Sequence, residues 1–161
     1  YLWIPVAAPE IGIRMISPIP SHLSPGKEDF KMSDYGDNFN ERKKYFDTWI
    51  SFERADLVLD DSNFVANAKN ASWRMYAQND DTGDLPAQPS GNKYNSMMRI
   101  SSETSNPTKA LVMGLYRIGF TTFKTGEVQG SFLAQIGAVV KLPGIQVAKD
   151  LESLKAAMDG K

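Results

Sequence analysis

A chain of 161 residues, 42% hydrophobic and 23% charged, is long enough to bury a core as one domain. Its formal net charge of −1 excludes a bulk electrostatic pull towards nucleic acid or anionic membrane, and no nucleic-acid-binding segment is visible in it. The absence of cysteine excludes disulfides and thiolate metal sites, and no apolar run reaches the roughly 18–20 residues of a membrane-spanning helix.

The opening YLWIPV reads as strand interior within residues 1–8, with Leu2, Ile4 and Val6 on one face. Pro5 lacks a ladder donor and suits an edge or a strand end. An apolar strand at a free terminus would fray, so Tyr1 is expected not to be the native start. Ile11–Ile16 is a second short strand, with Ile11, Ile13 and Met15 sharing a face. Ser17–Ser33 carries three prolines and few apolar residues, which makes it a long loop. Asp34–Asn40 has turn chemistry, and Asn40 or Asp37 can cap a helical turn through Glu41–Lys44. Tyr45–Phe52 reads two ways: as a strand with Phe46, Thr48, Ile50 and Phe52 on one face, or as a helix striped by Tyr45, Trp49 and Phe52. Asp56–Leu59 with Phe64 and Val65 suggests a further strand around the Asp60–Asn63 turn. Ser72–Gln78 is a strand with Trp73, Met75 and Ala77 inward, and Asn79–Gly91 is a second long polar loop.

Asn92–Lys124 reads as two strands joined by the polar turn Ser102–Lys109. Tyr94, Met98 and Ile100 share a face of the first; Val112, Tyr116, Ile118 and Phe120 share a face of the second, and Tyr116, Ile118 and Phe120 are expected to be buried. Ser131–Lys141 is an apolar strand ended by Pro143 and Gly144. Val147–Met158 is the clearest helix, with Ile145, Ala148, Leu151, Leu154 and Met158 at helical spacing and Gly160 just past its end. Short strands at this interval predict a mainly β fold: an antiparallel β-sandwich or jelly roll over residues 1–144, followed by an amphipathic helix in 145–161 that packs on it or on a neighbouring chain.

Candidate chemistry is sparse. His22, the only histidine, lies near Ser21 and Ser24 with Asp29, Asp34 and Asp37 downstream, but no nucleophile elbow or oxyanion loop accompanies it, and a plain loop histidine is the expectation. Asp80, Asp81 and Asp84, with Asn79 and Gly83, offer oxygen ligands to calcium, without the full EF-hand spacing, and Asp60 and Asp61 could add to them across an interface. Asn70-Ala71-Ser72 is a glycosylation sequon. Trp3, Trp49 and Trp73 with Tyr1, Tyr35 and Tyr45 could form a sugar platform, although such residues more often serve cores and interfaces. Phosphate loops, HExxH and GxSxG patterns are absent from the sequence, and no enzymatic activity is expected.

Arg99–Phe123, with Gly114, Tyr116, Ile118 and Phe120 along its last strand, resembles the closing strands of jelly-roll capsid proteins of small icosahedral RNA viruses. The resemblance implies a structural coat or surface-projection protein of a virion. It would act by self-assembly into a homo-oligomer or larger shell, with a host receptor as a further partner. It implies no cofactor; calcium at Asp80, Asp81 and Asp84 comes from the loop alone. Two alternatives stand beside it: a β-sandwich recognition module for carbohydrate or a protein receptor, and a hydrolase using His22.

Overall fold

The computed structural model describes residues 1–24, 44–56, 61–126 and 128–160. The later part of the first proline-rich loop, the Asp34–Asn40 turn, Glu41–Lys43 of the predicted helical turn, and Leu57–Asp60 lie outside the described residues. Two antiparallel sheets face each other, as the strand pattern predicts. Strands β1 (Leu2–Ile4), β3 (Thr48–Asp56), β4 (Ser72–Asn79), β6 (Gly114–Thr122) and β8 (Gln146–Val147) form one, in the order β4-β3-β6-β1-β8. Strands β2 (Glu10–Ile16), β5 (Ser96–Ser101) and β7 (Leu133–Gly137) form the other, in the order β5-β2-β7.

Alternation places the core. In β2, Ile11, Ile13 and Met15 are buried while Arg14 faces water. They meet Leu2, Ile4, Ile50, Phe52 and Tyr116 from the larger sheet and Met98 and Ile100 from β5. Phe52 and Tyr116 stack nearly parallel, with ring centroids 5.1 Å apart at 5°. Removing this apolar area from water is the main stabilising term. A second apolar layer covers the other face of the larger sheet, where Ala55 and Leu115 pack under α1 (Phe64–Lys69) and α2 (Leu151–Met158).

Several elements differ from the sequence reading, each for a physical reason. The tract at Tyr45–Phe52 is a strand, but begins at Thr48 and runs on to Asp56. Phe64 and Val65 open a helix rather than a strand, because Phe64 and Ala68 at i and i+4 bury one face of a single turn. In β4 Ala77 packs against the core as expected and Tyr76 joins it, against Phe52 and Tyr116, while Met75 is 48% exposed and Trp73 packs beside the helices. A register shift between Phe52 and Glu53 makes the ladder irregular there. The strands expected to pair around the Ser102–Lys109 turn do not: β5 pairs with β2, whereas β6 crosses to the other sheet and lies between β3 and β1. Tyr116 is fully buried; Ile118 and Phe120 are only partly so. Val147 belongs to β8, and the helix starts at Leu151 because Asp150 caps it, its carboxylate accepting the Ser153 N–H at 2.7 Å.

Candidate functional site

At one end of the sandwich the start of β3, the end of β4, the loop that follows it and the start of β5 converge. Thr48 ties them together. Its N–H donates to the Tyr94 carbonyl at 3.0 Å, and its hydroxyl lies 2.7 Å from the Ser96 hydroxyl. Ser96 Oγ is in turn within 2.6 Å of the Asp80 carbonyl. Asn79 Nδ2 donates to the Asp81 carbonyl at 3.0 Å, and the Thr82 N–H donates to the Asn95 carbonyl at 3.0 Å.

Asn95 fixes the rest of the loop. It is 2% exposed; its Oδ1 accepts the Ser17 N–H at 2.9 Å and its Nδ2 donates to the Pro86 carbonyl at 2.9 Å. Gln88, also buried, donates to the Phe46 carbonyl at 2.7 Å. A buried amide that satisfies so many backbone groups makes an otherwise polar loop hold one shape.

This scaffold sets Asp47 beside Asp80 and Asp81. The Asp47 carboxyl group is held above the ordinary carboxylate range by its burial and by the charges of Asp81 and Asp80, with Lys124 partly offsetting them. Asp47 Oδ1 is buried and has no hydrogen-bond donor. Asp81, at the rim, is raised as well, by burial and by Asp80. Of the sequence candidates, Asp80 and Asp81 therefore come together with a third carboxylate that the sequence reading passed over. Asp84 stays exposed on the loop, its N–H on the Thr82 hydroxyl at 3.1 Å. Among the described residues no group of three or more His, Cys, Asp or Glu side chains is placed so that it could hold a metal ion as it stands.

A cleft of about 400 Å³ adjoins the carboxylates, lined by Tyr45, Phe46, Asp47, Asn92, Tyr94 and Lys124 among others. Next to it Trp49 stacks on Phe123 at 5.7 Å. The other tryptophans do not extend this pair into a row. Trp3 meets Phe64 edge-on at 6.2 Å, and Trp73 lies under the Arg117 guanidinium, 4.4 Å from its carbon. Tyr35 lies outside the described residues. His22 is exposed in a turn, and the aspartates proposed to serve it also lie outside the described residues. Asn70 of the sequon ends α1, its side-chain amide donating to the Ala66 carbonyl at 2.9 Å.

Residues 1–147 match a family model described as Lipl32, surface lipoprotein of the Spirochaetales order. No curated protein matches the chain. The family match overturns the resemblance to viral capsid proteins, and with it the coat function and the virion as location; a bacterial cell surface takes their place. The resemblance rested on alternation in β6 with Gly114 at its start, a pattern that any antiparallel strand with one buried face presents.

Proposed function

Because the chain belongs to the Lipl32 family of surface lipoproteins of the order Spirochaetales, we propose that it is a recognition domain displayed at the cell surface, whose acidic loop end takes a calcium ion and so fixes the cleft beside it. The observation that carries this reading is the Asp47 carboxyl group, one oxygen of which is buried and unpartnered and which faces the charges of Asp80 and Asp81. A fold that only needed stability would not gather carboxylates around a site without a donor. Calcium is the fitting cation, since it accepts many oxygen ligands in flexible arrangements. Asp47, Asp80 and Asp81 would supply the charge by drawing in around the ion, since they are not placed to hold it as they stand, and the cleft of Tyr45, Asn92 and Tyr94 would meet the carbohydrate or protein partner.

Thermal melting with calcium and with chelator tests it. Calcium at about a hundred times its Kd should stabilise the wild-type domain by roughly 2.7 kcal/mol, and Asp47→Asn or Asp81→Asn should remove most of that shift. Capture of glycans or proteins by the immobilised domain should weaken in chelator. A wild-type domain whose melting ignores calcium would overturn the cation site, and capture unaffected by chelator would separate recognition from it.

A further inference from the structure

Far from the acidic end, the other half of β3 and the start of β4 hold an arrangement that sheet stability does not explain. Arg54 and Arg74 are register partners across the β3–β4 ladder. Like charges directly opposite each other destabilise a sheet. Arg74 has a loose, exposed contact with Asp56 at 3.5 Å. Arg54 has less: among the described residues it has neither carboxylate nor hydrogen-bond acceptor, and its Nε is buried without a partner.

Packing holds the Arg54 guanidinium in place. Its carbon lies 5.9 Å from the centre of the Tyr116 ring. Gly114 lies beside it, where even a Cβ would make only an ordinary contact, 3.5 Å from Arg54 Nε. Tyr76 follows Arg74 by two residues and so shares its face. The Tyr76 ring packs on Phe52 and Tyr116, and its hydroxyl is a second buried group without a partner. Burial holds the Tyr76 phenol above its ordinary range and so keeps it a donor; Glu103 pushes the same way and Arg54 opposes. Glu103, the nearby carboxylate, is occupied by Lys109 at 3.2 Å.

We propose that Arg54, Arg74 and Tyr76 form a receptor for a phosphate-type oxyanion. Guanidinium groups on adjacent strands and a phenol hydroxyl supply donors from separate directions, which suits a tetrahedral oxyanion better than a planar carboxylate. The anion would neutralise the facing arginines and satisfy both orphaned groups. The site is independent of the calcium reading, and it takes either free phosphate or a phosphate-bearing lipid headgroup.

The test titrates the domain, in chelator and against chloride at matched ionic strength, with inorganic phosphate, following the arginine Nε–H signals by NMR. Saturable shifts of the Arg54 signal are expected in the wild type. Arg54→Met, which keeps the packed stem, and Tyr76→Phe should each weaken binding about tenfold or more; Arg99→Met, on the smaller sheet, should not. Tyr76→Phe should also raise thermal stability without phosphate. A gain in stability with unchanged phosphate affinity would mean that the hydroxyl only meets buried water, and would overturn the proposal, as would wild-type shifts no larger than chloride produces. Co-sedimentation with phosphatidylcholine vesicles, with and without phosphatidic acid, separates the sources. Binding that needs phosphatidic acid and is lost in Arg54→Met marks a headgroup; phosphate binding without vesicle binding marks a soluble anion.

Discussion

Asp47 folds with its carboxyl group above the ordinary value of 3.8, by burial first and by Asp81 and Asp80 after it. An acid raised in the folded state binds its proton more tightly there than in the unfolded chain. Its contribution is therefore most favourable below the ordinary value and is lost as pH rises through the folded one. Without calcium, the wild-type domain is expected to lose this contribution as pH climbs out of the carboxylate range, and Asp47→Asn is expected to flatten that limb of the curve. Calcium should flatten it too. Denaturant melts across that range, in chelator and in calcium, check both; a chelated wild type whose rising-pH limb matches Asp47→Asn would show that Asp47 does not carry the effect. Asp150 and Glu152 act in the opposite sense. Their carboxyls are lowered, by the Ser153 backbone N–H and by Lys69 respectively, so what they add is lost as pH falls. Asp80 and Asp81 were legible in the sequence because they stand together in a polar loop. Asp47 was not, because it sits in an aromatic tract where the eye follows the strand period, and only the fold brings it to the loop.

Phe52 and Phe120 show how far alternation reaches at the level of the element. Both occupy core-facing positions of adjacent strands, and Tyr116, Ile118 and Phe120 look alike in sequence. The smaller sheet covers Phe52 and Tyr116 completely and Phe120 only in part. Phe52→Ala is therefore expected to cost roughly 3–5 kcal/mol, because it empties a stacked and fully buried site. Phe120→Ala should cost less, about 1–3 kcal/mol, because water relaxes into part of the space. Chemical denaturation of the two variants decides, and equal losses would contradict the difference in cover. Alternation identified β2, β5 and β6 as strands, because a half-buried strand must alternate, and left the tract of β3 open between strand and helix. It could not say which strands pair, since the same face pattern fits a hairpin within one sheet or a crossing between two. Nor could it show that Phe64 and Ala68 make a helical turn, a segment too short to display a period.

For the molecule as a whole, the mainly β sandwich was legible in the spacing of strands and turns, whereas the family was not, because β-sandwiches share that spacing across unrelated functions. The topology has a further consequence. Leu2 and Trp3 of β1 pair on one side with Tyr116 and Leu115 of β6 and on the other with Val147 and Gln146 of β8. The first strand thus has no partner until Gly114–Tyr116 exist, and its second partner comes only with Gln146 and Val147. Contacts of such long sequence separation slow folding, since loop closure must precede the pairing that rewards it. Refolding from denaturant is expected in the millisecond-to-second range, measurable by stopped-flow tryptophan fluorescence, and a microsecond relaxation would contradict it. During synthesis the same constraint keeps the opening strand unpaired until residues near 116 have emerged, and its other edge open until residues near 147 follow, so this domain completes its larger sheet late and stays open to proteases until then.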